Sequence, residues 1–285
     1  MKAKQINELK LPLEAKLTNK IYRVLKNQAE DVEKFYLTVN DIAINYKPEI
    51  IKEIRDGMRM AIAIFGYAMR SEIERDLDIK FKSIDDLEEA NKQLELDFAL
   101  FIANEGENQA NLITASSNNE IKEVIARQTQ IKAEEISVLI REQNELLASG
   151  GDKKRIATIE KIIRNAKNDI AKNIKINLLD NAVSRSRLIG EQVIGITEGF
   201  ARNQESVKLN NIDTIKGKIG INKTWVSILD LKTRPSHVVA DGQKISVDDK
   251  FSVGGDSLEY PRDPNGSIAN TIRCRCVAIY NKKYY

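Results

Sequence analysis

Between Pro48 and Pro235 the chain carries no proline. Proline inside a helix removes a backbone hydrogen bond and clashes with the preceding turn, at about 3 kcal/mol. So long a stretch without one permits long helices, and its apolar residues recur at helical spacing. Ile156, Ile159, Ile163, Ala166, Ile170, Ile174 and Leu178 form one stripe over about six turns. A second stripe runs through Ile121, Val124, Ile125, Ile131, Ile136 and Leu139. Helix starts are signalled by Ser83 with Asp86 at capping-box spacing ahead of Leu87, by Asn119, and by Asp152 just after the Gly150-Gly151 break. Met58, Met60, Phe65, Tyr67 and Met69 read as a core helix, with an adaptable partner-binding face as the alternative.

With 42% hydrophobic and 31% charged residues, the chain can bury a core and is not of disordered composition. Aromatics are 6%, so that core is built mainly of Ile, Leu, Val and Ala. The net charge of +3 gives weak long-range steering and does not by itself mark a nucleic-acid binder. No signal-peptide core is read between Met1 and Leu17. The longest apolar run, Met60 to Met69, is short of the ~20 residues a spanning helix needs, so no membrane partner is expected.

After Leu209 the character changes. Asn210 to Asn222, holding Gly217 and Gly220, reads as a connector. Strands are predicted at Trp225 to Leu229, Ile245 to Val253 and Arg273 to Tyr280. Turn signals stand between them at Asp241-Gly242, Gly254-Gly255 and Pro261 to Gly266. The expected fold class is α+β: a long, mostly helical N-terminal body followed by a small C-terminal α+β or mostly β domain. The expected division is a helical body over 1–160, helices leading into the terminal region over 161–209, and a compact domain over 210–285.

The only Trp, the only His and both Cys fall in that last part. Trp225 is followed by Asp230, Thr233, Arg234 and His237 in an Asp-x-x-Thr-Arg-x-x-His run. Asp241-Gly242 comes next, and a terminal Cys274-Arg275-Cys276 follows. Upstream, a helix over Arg187 to Asn203 carries Thr197-Glu198 and Asn203. In this order the residues resemble the phage Mu F-like head-morphogenesis family over about the last 120 residues. Members of that family have Asn directly before Cys-Arg-Cys, where this chain reads Asn270-Thr-Ile-Arg-Cys-Arg-Cys. The resemblance implies a minor head protein of the virion, made in the host cytoplasm. It would associate with portal and capsid proteins, act in head morphogenesis and in DNA packaging or delivery, and need no catalytic residues.

The residues also permit other chemistry. In a strand Cys274 and Cys276 face the same way. With His237 as a third ligand, and Asp230 or Asp241 as a fourth, they could hold zinc. Two thiols packed in a reducing compartment, or a redox-labile Cys-x-Cys pair, are the alternatives. Asp230 and Arg234, four apart, could form a carboxylate–guanidinium fork, or Arg234 could reach Glu198. His237 with Asp230, Arg234 or Glu198 could equally be a general base with an anion clamp, the centre of a hydrolase, transferase or toxin-like domain acting on nucleic acid. Arg273, Arg275, Lys282 and Lys283 make a basic tail for packaged DNA or an acidic partner, or else guard an edge strand. A zinc-stabilised DNA-binding module is the remaining alternative. Walker A, His-Glu-x-x-His and Gly-x-Ser-x-Gly motifs do not occur, and a single His excludes any two-histidine site.

Overall fold

A computed structural model describes residues 3–38, 45–77, 85–211 and 219–284. Four long helices come first: α1 (Ala3–Thr38), α2 (Lys47–Leu77), α3 (Asp85–Ala148) and α4 (Lys153–Asn210). The strand region follows with β1 (Ile219–Val226), α5 (Pro235–Ala240), β2 (Lys244–Ser246), β3 (Phe251–Val253), β4 (Asp256–Leu258), α6 (Ile268–Thr271) and β5 (Val277–Tyr284). The fold is therefore α+β, a helical body followed by a small antiparallel strand region. Among the described residues no helix is long and apolar enough to cross a membrane.

Asp152 caps α4 as its position predicts, accepting the amide of Lys154 at 2.8 Å, and Gly150 takes the left-handed backbone that ends α3. The other start signals fare differently. Asn119 lies inside α3, because the helix continues through it without a break. Ser83 lies outside the described residues. Pro12 is tolerated inside α1, where neighbouring Leu13 and Leu17 are buried.

Residue contacts divide the chain into two compact units. One comprises 20–50 and 110–186. Its core is the first stripe of α4, with Ile170, Ile174 and Leu178 packed on Ala29 and Val32 of α1 and on Ile121 and Val124 of α3. The second stripe is buried only at its start: Ile121 and Val124 are in the core, while Ile131 is 46% exposed. The other unit comprises 1–19, 51–109 and 187–285. The boundary expected at 160 falls within α4, and the strand region shares its unit with helical segments. Its core makes the reason plain: Trp225, Phe251, Val253, Leu258 and Tyr280 pack together with Met69 of α2 and Leu209 of α4. A strand region this small cannot bury its apolar side chains alone. Met58, Phe65 and Met69 are buried and Tyr67 is exposed, as a core helix requires.

β1 is the central strand of a three-stranded antiparallel sheet ordered β2-β1-β5. It begins at Ile219 and ends at Val226, so the expected strand at 225–229 is displaced toward the N-terminus, and 219–222 is strand rather than connector. Of the two glycines that suggested a connector, Gly220 is the second residue of β1 and Gly217 lies outside the described residues. The expected strand at 245–253 is split by a turn at Asp249, whose amide bonds the Ser246 carbonyl. β3 and β4 form a separate hairpin in which Val253 faces Asp256, with Gly254 and Gly255 both at positive φ, the two-residue turn that needs glycine.

Glycine also sets how closely α4 is approached. A Cβ on Gly199 would stand 2.5 Å from Tyr260 Cδ2 and 3.0 Å from the Pro261 carbonyl oxygen. On Gly66 of α2 the nearest atom would be 3.7 Å away, in ordinary contact. We expect Gly199→Ala to lose about 1–3 kcal/mol in urea unfolding through overpacking, and Gly66→Ala to gain up to about 1 kcal/mol from helix propensity. Equal effects of the two substitutions would contradict this packing.

Candidate functional site

Trp225 is fully buried near the end of β1 and organises the residues around it. Its ring meets His237 edge-on at 5.7 Å and Phe251 at 5.3 Å, and its indole N–H donates to Ser227 Oγ at 3.2 Å. The chain turns back after β1 through Asp241-Gly242. Gly242 has φ +75° and donates to the Trp225 carbonyl at 2.9 Å, and Asp241 accepts the Ser227 amide at 2.7 Å. Pro235 starts α5, and two residues later His237 points inward, 2% exposed.

Cys274 and Cys276 come to the same place by another route than the expected strand, since β5 begins only at Val277. Arg273 has φ +52°, an uncommon conformation for a residue with a side chain, and Cys274 donates to the Thr271 carbonyl. Both thiols are turned in, 1% and 5% exposed, while Arg273 and Arg275 are exposed. His237 Nδ1 lies 3.3 Å from Cys276 Sγ and 3.7 Å from Cys274 Sγ. The cysteines are free thiols. The Cys274 thiol is lowered to about 7 by its hydrogen bond with Cys276, against burial and with help from the Arg262 guanidinium. Cys276 is pushed up by that same bond and by burial. The three donor atoms lie within 4.8 Å of one another, so this cluster could hold a metal ion.

The two acids named as a fourth ligand are engaged elsewhere. Asp230 closes its own turn, accepting the Lys232 amide at 3.0 Å and the Thr233 hydroxyl at 3.2 Å, and Arg275 forks onto it at 2.5 and 2.6 Å. That fork holds the Asp230 carboxyl well below the usual carboxylate range. Arg234 sits extended at the start of α5 and donates to the Ile272 carbonyl, so the expected Asp230–Arg234 and Glu198–Arg234 pairs do not form. Of the basic tail, Arg275 is committed to Asp230 and Lys282 is half-buried on β5, which is an edge strand of the sheet; the Lys283 side chain lies outside the described residues.

Glu198 and Asn203 belong to a second, buried polar cluster. Arg202, one turn after Glu198, bonds it at 2.9 Å and donates to the Ala278 carbonyl on β5 at 2.7 Å. Lys10 of α1 stands 3.9 Å from Glu198. Asn203 accepts Lys223 at 3.2 Å and the Tyr280 hydroxyl at 3.4 Å, and Lys223 also donates to the Glu259 carbonyl at 2.8 Å. Arg202, Lys223, Arg262 and Lys10 were not singled out in the sequence. The i, i+4 spacing of Glu198 and Arg202 was the one available signal, whereas a core-facing lysine in a strand has none. Asn270 also has a definite task, with its amide donating to the Val253 carbonyl and to Asp256 at 2.9 and 2.8 Å.

No family model matches the chain, and no solved structure does. Among curated proteins, a stretch of 82 residues is 33% identical to the NAD(+)–arginine ADP-ribosyltransferase EFV of Enterococcus faecalis. That stretch is 26% of this chain, and the chain spans 17% of the length of that relative.

Burial lowers the Lys223 ammonium to about 8 from 10.5, opposed by Glu259. Between those pH values the unfolded chain holds a proton that the folded chain has released, so stability rises with pH. Below about 8 the full cost of burying the charge is present. Relative to Lys223→Met, wild type should therefore gain up to about 3 kcal/mol between about pH 8 and about pH 10.5 in urea unfolding. A parallel pH course in the two proteins would contradict a buried, protonatable Lys223.

Proposed function

We propose that this chain is a minor head protein of the Mu F-like head-morphogenesis type, and that its strand region serves there as a structural unit and not as a catalytic one. The residues behind the resemblance have coherent structural tasks. Trp225, His237, Cys274 and Cys276 share one core, Asp241-Gly242 closes the turn after β1, and Glu198 and Asn203 contribute to the buried cluster that joins α4 to β1 and β5.

The observation that carries the non-catalytic part is burial. His237, Cys274 and Cys276 are 2%, 1% and 5% exposed, and a general base must come within hydrogen-bond reach of its substrate. A described cavity of about 310 Å³ is lined by Arg55, Arg59, Glu95 and Phe98 of α2 and α3 and by none of the cluster. The metal we assign to the cluster is zinc, which suits two thiolates and an imidazole. The partners of this reading are portal and capsid proteins, with packaged DNA, and its location is the virion head.

A second, enzymatic reading has its own support. The partial similarity is to an arginine ADP-ribosyltransferase, and the comparison favours this reading over the first. Under it, the chain would carry part or all of a group-transfer activity, with His237 the first residue to test. An 82-residue match over 17% of that protein is equally what a shared non-catalytic module would leave.

The readings separate in one experiment. Purified chain is incubated with labelled NAD+ and an arginine-rich acceptor, and the chain is also sought in DNA-filled heads by sedimentation. We expect no label above a heat-treated sample, and co-sedimentation with the heads. Label transfer that His237→Ala abolishes while its circular dichroism stays native would overturn the structural reading in favour of the transferase.

A further inference from the structure

We propose that the hydroxyl of Ser227 is the fourth ligand of the zinc site, making it a closed, four-coordinate structural centre of two sulfurs, one nitrogen and one oxygen. This rests on the zinc reading of His237, Cys274 and Cys276.

The distances have the right scale. A tetrahedral zinc with bonds of about 2.3 Å to sulfur and about 2.0–2.1 Å to nitrogen places sulfur and nitrogen about 3.6 Å apart. His237 Nδ1 stands 3.3 and 3.7 Å from the two sulfurs. Its other nitrogen, Nε2, is buried without a hydrogen-bond partner among the described residues, and the ring's polar contacts are made by Nδ1 on the sulfur side. Ser227 Oγ lies 3.3 Å from Cys276 Sγ, close to the separation of two ligands of one ion.

Hydrogen-bond capacity points the same way. A hydroxyl has one proton and two lone pairs. The Ser227 proton goes to the His237 carbonyl at 2.8 Å, and one lone pair is taken by the Trp225 indole N–H at 3.2 Å. The other lone pair is on the side of Cys276. When the thiols ionise on binding, releasing two protons, that lone pair no longer has an S–H to accept and is available to the metal.

Charge supports a neutral fourth ligand. Two thiolates neutralise a dication, and a neutral imidazole and hydroxyl complete the shell without adding charge. A carboxylate would leave a net negative charge in a buried site, at high cost. Among the described residues no Asp or Glu joins the group. Asp241 is held on the Ser227 amide, and Asp230 is held by Arg275. A hydroxyl in this position also distinguishes the centre from a catalytic zinc, which keeps its fourth position for water or substrate.

The test loads the full-length chain with cobalt(II) as a spectroscopic stand-in and measures zinc affinity by chelator competition, for wild type, Ser227→Ala, Ser227→Cys and Cys274→Ser. We expect one tetrahedral ion per wild-type chain. Ser227→Ala should bind at least about tenfold more weakly, with the visible bands losing intensity as water enters. Ser227→Cys should raise the thiolate charge-transfer intensity by about half, from two sulfurs to three. Circular dichroism confirms the fold, and Ser227→Cys decides the matter if the alanine variant unfolds. Spectra and affinities unchanged in both Ser227 variants, with Cys274→Ser still losing the ion, would overturn the ligand assignment and leave the zinc reading intact. A wild-type chain that takes up no ion would overturn both.

Discussion

A buried tryptophan surrounded by groups that need partners is the constraint on which the strand region depends. Trp225 packs on Phe251 in a largely apolar core, but the same core also holds an imidazole, two thiols and a hydroxyl, all withdrawn from water. Polar atoms in so small a core must satisfy one another or be satisfied by an ion. The backbone is bent to arrange this. Arg273 takes a left-handed conformation just before Cys274, Arg262 does so at φ +70°, and the Arg262 guanidinium bonds the Cys274 carbonyl. Such conformations cost about 1–3 kcal/mol each and persist only where the surroundings enforce them.

The second constraint is charge placed where only apolar side chains would be expected. Lys223 faces the core on β1 beside Ile221 and Trp225, and Arg202 is 1% exposed on α4. Each is bound by the other element: Arg202 to a β5 carbonyl, Lys223 to Asn203 of α4. Removing one partner from such a cluster leaves an uncompensated buried charge, which is more damaging than losing an exposed pair. The network therefore fixes how α4 meets the sheet. It also ties the strand region to the helical segments that share its unit.

The sequence disclosed the parts of the fold that rest on local rules. The Asp152 cap, the Ile170–Ile174–Leu178 stripe and the Gly254-Gly255 turn needed only spacing and backbone preference. What it hid depends on pairing across the chain. Asn119 looks like a cap, but its helix runs on through it, with Ile113 buried before it and Ile121 and Val124 buried after it. The start of β1 was masked by the neighbouring glycines, and its pairing with β5 is set by residues some sixty positions away. Of the candidate site, the His237–Cys274–Cys276 grouping was legible from residue type alone, because the sequence holds one His and two Cys. The partner of Asp230 was not. Arg234 is nearer in sequence, but Arg275 is the one whose guanidinium reaches both carboxylate oxygens.

The functional question turns on whether this cluster is a sealed structural centre or an access point for a substrate. Its burial favours the first, and the partial likeness to an ADP-ribosyltransferase is the ground for the second. X-ray absorption at the zinc edge of the purified protein tests the central claim most directly. The account predicts a shell of two sulfurs at about 2.3 Å and two nitrogen or oxygen atoms at about 2.0–2.1 Å, unchanged when NAD+ or other small ligands are added. A zinc-free protein, a shell without sulfur, or a shell that gains a ligand from added substrate would contradict it.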